Sequence, residues 1–142
     1  MGNHLLVSGE VKMGNDPYLN KIYQTIDDTF GYLRKKWNIQ IIKGLFCDCK
    51  HFKDFLEQHP TLSSKVLAER LKELEEEGII EKKSVNSTQT EYCLTEKGLR
   101  LNKIIYEMFD FALDEVMKDE KSAVQKAKSR EYLKTCLLIE KA

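Results

Sequence analysis

Residues 63–98 read Ser63-Ser64-Lys65-Val66-Leu67-Ala68-Glu69-Arg70-Leu71-Lys72-Glu73-Leu74-Glu75-Glu76-Glu77-Gly78-Ile79-Ile80-Glu81-Lys82-Lys83-Ser84-Val85-Asn86-Ser87-Thr88-Gln89-Thr90-Glu91-Tyr92-Cys93-Leu94-Thr95-Glu96-Lys97-Gly98. At about 100° per residue, Leu67, Leu71 and Leu74 fall in one narrow arc, which predicts a helix over residues 64–77 with one buried side. Ser63 or Ser64 can cap it, and Gly78 is the expected left-handed stop. Residues 79–85 then change to a two-residue period, residues 86–89 are polar turn material, and residues 90–94 resume the extended pattern. A hairpin follows from that change of period. Thr95 is placed to cap a further helix beginning at Glu96.

Working outward, the stretch His59-Pro60-Thr61-Leu62 interrupts helix, because proline disfavours it in the residue before. Upstream, residues 51–58 predict a short helix with Phe52, Phe55 and Leu56, and residues 35–46 another with Trp37, Ile41, Ile42, Leu45 and Phe46 on one side. Asn15-Asp16-Pro17 supplies a cap and a first-turn proline for a helix carrying Leu19, Ile22, Tyr23, Ile26, Phe30 and Leu33 and ending near residues 31–34. Residues 1–15 show no periodicity and read as a mobile lead-in. Downstream, Leu101, Ile104, Ile105, Met108, Phe109, Ala112, Leu113, Val116 and Met117 cover more than one face of a long helix, which therefore needs two partners. A last helix is predicted over residues 123–139. Residues 16–142 are expected to form one domain with a core at 34–100. Its class is mainly α with a small β-hairpin (α+β), a winged helix-turn-helix with extra N- and C-terminal dimerisation helices.

The pair Lys36-Trp37, the Phe52-Lys53-Asp54-Phe55-Leu56 run, the Leu67/Leu71/Leu74-Glu75 pattern closing on Gly78, and Glu91-Tyr92-Cys93-Leu94-Thr95-Glu96-Lys97-Gly98 together closely resemble HxlR-type transcriptional regulators, over about residues 33–110. The resemblance implies a homodimer that binds double-stranded DNA sequence-specifically, with dimer contacts from helices outside the wing domain. The chain departs from the family pattern in two places. Its wing is a few residues shorter and lacks the prolines and the arginine that often precede Glu-Tyr, so minor-groove insertion by the tip is not expected. Residues 29–35 contain no cysteine, so redox sensing through a cysteine ahead of the Lys-Trp pair is not expected either.

On the proposed recognition helix, Lys65, Glu69 and Lys72 point away from the leucine side, with Ala68 on one shoulder. Lysine suits phosphate or guanine, glutamate accepts from cytosine N4, and alanine fits a thymine methyl. Ser63 and Ser64 sit where helix N–H groups favour phosphate. Arg70, at the core edge, is compatible with a structural role or with DNA contact. Lys82, Lys83, Asn86, Ser87 and Gln89 around the wing, and Lys53 (with Lys50) ahead of it, suit backbone phosphates. Dimer contacts are expected from Ile22, Ile26 and Phe30 in the first helix, Phe109, Leu113 and Met117 in the long helix, and Leu133 and Leu137 in the last.

Composition narrows the alternatives. Among 142 residues, 23 basic and 23 acidic side chains cancel, so any nucleic-acid affinity must come from the distribution of charge. That neutrality keeps open a winged helix used only for protein contact. No apolar run approaches membrane-spanning length, and the opening residues lack the pattern of a secretory signal. Cytoplasmic residence, with reduced thiols and no membrane partner, is the expectation. Cys47-Asp48-Cys49-Lys50-His51 is the one cluster with the chemistry of a soft-metal or thiol-responsive site, but its spacing lacks the paired motif of a zinc ribbon. Cys93 and Cys136 read as packing residues. No phosphate loop, nucleophile elbow or His-Glu-x-x-His motif is present, so neither enzymatic activity nor a cofactor is expected, and the effector is left open.

Overall fold

The computed structural model describes residues 15–48, 50–118 and 122–139. Contacts divide the chain after Lys35 into two compact units. Among the described residues the first unit holds helix α1 (Pro17–Leu33). The Asp16 side chain accepts the Tyr18 N–H at 2.8 Å and Pro17 occupies the first turn, as the cap sequence predicts. Ile22, Ile26 and Phe30 are exposed, and Tyr32 and Leu33 are buried. The lead-in expected over residues 1–15 lies almost wholly outside the described residues.

The second unit runs α2 (Asn38–Cys47), α3 (Phe52–Gln58), α4 (Ser64–Glu76), β1 (Ile80–Asn86), β2 (Gln89–Leu94), α5 (Glu96–Leu99), α6 (Asn102–Phe111) and α7 (Ala123–Cys136). β1 and β2 pair antiparallel from Ile80 opposite Leu94 to Asn86 opposite Gln89, leaving Ser87 and Thr88 as a two-residue tip. A register shift between Ser84 and Asn86 marks a bulge just before it. The core is built from Ile41, Ile42 and Leu45 of α2, Phe55 of α3, the three leucines of α4, Ile79 and Ile80, and Ile105 of α6. No described helix is long and apolar enough to cross a membrane.

Element boundaries differ from the sequence reading at two places. α2 starts at Asn38 because Trp37 adopts a left-handed backbone, φ 82°, which ends any helical run from Lys35. That turn sets the Trp37 ring 5.4 Å from the His59 ring. The expected continuous helix from Glu96 is broken: α5 ends at Leu99, Arg100 and Leu101 form a turn, α6 follows, and Ala112–Val116 winds into a π-helical turn. Cys93 is the buried residue of its stretch, with Tyr92 and Leu94 half-buried around it, and it is disulfide-bonded instead of being a plain packing thiol.

The junction of α4, β1 and α5 explains the Thr-x-x-Gly signature. Gly78 stops α4 at φ 76°. The Thr95 hydroxyl donates to the Gly78 carbonyl at 2.6 Å and accepts the Gly98 N–H at 3.1 Å, while the Thr95 N–H donates to the Ile79 carbonyl at 3.0 Å. A Cβ on residue 98 would lie 2.2 Å from the Ile79 carbonyl oxygen, a backbone atom that cannot yield without moving the strand. Gly98→Ala is therefore expected to destabilise the fold by about 3 kcal/mol. Gly44→Ala in α2, whose added Cβ would meet only the Gln58 side chain at 3.8 Å, should be neutral or stabilise by up to about 1 kcal/mol. Denaturant melts of the two variants against the parent chain measure both values.

Candidate nucleic-acid interface

α4 begins at a working cap. Ser63 is extended, and its hydroxyl accepts the Val66 N–H at 3.1 Å. The periodicity is realised in three dimensions: Leu67, Leu71 and Leu74 are buried, whereas Ser63, Ser64, Lys65, Ala68, Glu69 and Lys72 are all exposed. Nothing in the described chain covers that outward face. The first-turn N–H groups, together with the lysines, make its amino end the electropositive part of the helix.

Arg70 is resolved as a structural tether. Its Nε donates to the Lys36 carbonyl at 2.9 Å, and its guanidinium lies 3.6 Å from the Glu73 carboxylate. The Lys36-Trp37 pair thus holds the middle of α4 through a backbone carbonyl. At the other end, the Lys97 ammonium donates to the Glu77 carbonyl at 2.7 Å. That contact sets a cation on the free carbonyls of a helix end crowded by Glu73, Glu75, Glu76 and Glu77, whose charge opposes the helix dipole.

The wing residues Lys82, Lys83, Asn86, Ser87 and Gln89 are exposed as well. Lys83 lies 3.7 Å from Glu81, and the Lys82 ammonium sits 5.9 Å from the centroid of the Tyr92 ring. Asn86 organises the tip: its side-chain oxygen accepts from the Thr88 N–H at 2.9 Å, and its amide donates to Gln89 at 3.3 Å. The Asn86 and Gln89 side chains are thus bonded to each other within the tip.

Lys53 is exposed on α3 and lines one shallow recess with His51, Thr88, Gln89, Thr90 and Tyr92. What brings it to the wing is a bridge between Lys50 and Tyr92, with N–H···O distances of 3.0 and 2.7 Å, that adds a one-residue third strand to the hairpin. His51 strengthens the link, its Nδ1 being 3.0 Å from the Thr90 carbonyl. Thr88 and Thr90 were not singled out by pattern, and His51 was singled out only as part of the Cys-x-Cys-x-His stretch, since a one-residue bridge has no periodic signal. The same contacts separate the members of the Cys-x-Cys-x-His stretch. His51 turns to Thr90 while the Cys47 sulfur lies 3.3 Å from that of Cys136, and no cluster of three metal-ligating side chains occurs among the described residues. Cys49 lies outside them.

The dimer candidates divide. Leu133 and Leu137 are buried within the protomer, Leu137 completely, so neither offers surface to a second copy. Phe109 lines a cleft with Cys47 and Tyr132 and is half-buried, as is Leu113. Met117 is exposed. An apolar groove missed by sequence reading runs along α6 through Ile104, Met108 and Phe111, flanked by Lys103 and Glu107. The signal was present: Ile104, Met108 and Phe111 are spaced by four and three residues.

The pair of α3 and α4, the second capped at Ser63 and carrying a solvent-facing polar side, with a hairpin tied to both, defines a winged helix-turn-helix protein. The comparisons with known proteins agree. A family model described as HxlR-like helix-turn-helix matches residues 32–120. The HTH-type transcriptional regulator YodB of Bacillus subtilis is 41% identical over 91 residues, covering 63% of this chain and 81% of that one. The structure of the reduced form of YodB matches with a TM-score of 0.59 over 62% of this chain and 88% of that chain. The redox regulator HypR in its reduced form, at 24% identity and a TM-score of 0.62, covers 67% and 98% and shares the fold. The chain belongs to the HxlR-like helix-turn-helix family, and its class is that of helix-turn-helix transcriptional regulators.

The cap at Ser63 is separable from any DNA contact. Ser63→Ala is expected to lower stability by about 1 kcal/mol, and Ser63→Asp, which keeps an acceptor, by much less. Thermal melts in the absence of DNA measure the difference.

Proposed function

We propose that the chain is a homodimeric, sequence-specific regulator that binds duplex DNA in the cytoplasm with one α4 helix in the major groove of each half-site. The observation that carries this reading is the uncovered outward face of α4, where Ser63, Ser64, Lys65, Ala68, Glu69 and Lys72 share one exposed side above buried leucines. Lys65 and Lys72 take phosphate oxygens or guanine acceptors, Glu69 reads a cytosine amino group, and Ser63 and Ser64 hold a phosphate at the helix start. Lys53, Lys82, Lys83 and the polar tip at Asn86, Ser87 and Gln89 lie along the flanking backbone. A tip of two residues is too short to reach into the minor groove, so the wing positions the protein without reading sequence.

What is left exposed supports dimerisation. Ile104, Phe111, Val116 and Met117 in one unit and Ile22, Ile26 and Phe30 in the other are large apolar side chains facing solvent. Such surface on a small chain marks an interaction site. A second copy satisfies it by two-fold symmetry and supplies the second recognition helix that a pseudo-palindromic site requires. Naming of the B. subtilis relative as a transcriptional regulator supports the same function here.

Selection of bound duplexes from a random pool, followed by titration at several salt concentrations, tests the proposal. Affinity should fall on a log–log plot with a slope of about −0.9 per phosphate neutralised. Lys65→Ala and Lys72→Ala should each weaken the selected site by about 1–3 kcal/mol if the lysine reads a base edge. Lys53→Ala should weaken all sequences alike and make the slope shallower by about 0.9. No enrichment, or a salt-independent response, defeats DNA binding, and a sedimenting monomer at micromolar concentration defeats the dimer.

A further inference from the structure

The Cys47 and Cys136 sulfurs lie 3.3 Å apart across the contact between the end of α2 and the end of α7. A disulfide needs about 2.05 Å, so closure requires a movement of only about 1.2 Å, within the reach of side-chain rotation. Neither cysteine lies ahead of the Lys36-Trp37 pair, and Cys136 falls beyond the matched residues 32–120. The pair therefore joins one cysteine of the matched region, Cys47, to one in the segment that follows it, Cys136.

The helix that Cys136 terminates is held lightly. Most of α7 is exposed, and only Leu133, Cys136 and the following Leu137 are buried. Its polar attachments include Arg130 to Asp110 and Asp114, the Lys126 ammonium to the Met117 carbonyl at 2.5 Å, the Lys43 ammonium to the Tyr132 hydroxyl at 2.6 Å, and Asn102 to the Leu137 carbonyl at 2.9 Å. A covalent bond at this contact therefore changes the attachment of a whole helix.

Access is asymmetric in the way a two-step exchange needs. Cys47 is exposed and opens on a cleft of about 450 Å³ lined by Lys43, Lys50, His59 and Tyr132, whereas Cys136 is buried behind it. Partial burial and the adjacent Cys136 sulfur push the Cys47 thiol up, and Lys43 and Lys50 pull it the other way. Cys47 is the entry point and Cys136 the resolving thiol.

We propose that Cys47 and Cys136 form a reversible dithiol–disulfide latch that locks α7 onto α2, oxidised by a low-molecular-weight disulfide entering the cleft. The Cys47 thiolate attacks one sulfur of the oxidant R–S–S–R, forming Cys47–S–S–R and releasing RS⁻. The Cys136 thiolate then attacks the Cys47 sulfur, breaking the mixed disulfide and releasing the second RS⁻. Two protein thiols are oxidised, one R–S–S–R is reduced to two R–SH, and the two protein protons end on the released thiolates.

The test treats the full chain with oxidised glutathione and maps disulfides by mass spectrometry of non-reduced peptides. A Cys47–Cys136 linkage that dithiothreitol reverses is expected. Cys136→Ser should stall at glutathione-bound Cys47, and Cys47→Ser, at an exposed position, should form no linkage. In the linked chain the melting temperature should rise by about 10 °C, and tryptic cleavage after Lys126, Lys128 and Arg130 should slow at least about tenfold. Glutathione retained on Cys47 of the parent chain, Cys47 joined to a different cysteine, or a linked chain whose α7 is cut as fast as before would each overturn the latch.

Discussion

The Ile79 carbonyl oxygen is the atom around which the second unit is organised. It accepts the Thr95 N–H, and it stands so close to residue 98 that only glycine fits there. A hydroxyl on Thr95 closes the same junction by bonding the Gly78 carbonyl and capping α5. The carbonyl end of α4, the first residue of the hairpin and the start of the long C-terminal helical segment are thereby fixed to one another at backbone level. Backbone contacts of this kind are insensitive to side-chain rotamers, which is why the direction of α4 follows from them. The outward face of the helix is a consequence of how its far end is clasped.

The rest of α4 is held by groups that would otherwise be taken for DNA ligands. Arg70 is spent on the Lys36 carbonyl and Glu73, and Lys97 on the Glu77 carbonyl. Both cations lie on the body side or the carboxyl end, away from Lys65 and Lys72. The helix therefore carries two populations of charge, one occupied internally and one exposed. A sequence-level count of basic residues cannot separate them, because the separation depends on which carbonyls the fold leaves open nearby.

Legibility in the sequence followed the length over which a signal repeats. The bounds of α4, its cap at Ser63, its stop at Gly78 and the hairpin after it were readable, since each rests on local periodicity or on a residue with a specific backbone preference. The start of α2 was not, because the left-handed Trp37 is maintained by tertiary surroundings such as the His59 ring. The break at Arg100 and Leu101 was hidden too. Apolar spacing continues through it while the chain bends around the Gly98 contact. In the candidate interface, exposure of the α4 and wing residues could be anticipated from the helix wheel and the turn. The placement of Lys53 beside the wing could not, as it depends on one bridge between Lys50 and Tyr92. Leu133 and Leu137 show the same limit from the other side: an apolar stripe announces burial without saying whether the chain's own core or a second copy provides it.

A net charge of zero is compatible with phosphate binding once the positions of the charges are considered. Phosphate attraction is felt over about one Debye length, roughly 8 Å at physiological ionic strength. Glu73, Glu75, Glu76 and Glu77 occupy the carboxyl end of α4 within one Debye length of Lys72, but a helix rises about 1.5 Å per residue, so they stand on the order of 15 Å from Lys65 along the axis. That separation exceeds the screening length. The amino end of α4, Lys53 and the wing lysines can then act on a DNA backbone as a local positive surface, while the acidic end repels any pose in which the helix lies flat along the groove. On the proposed function, the neutral total becomes an orienting device: it lowers affinity for DNA in the wrong geometry and leaves it intact when α4 enters by its amino end.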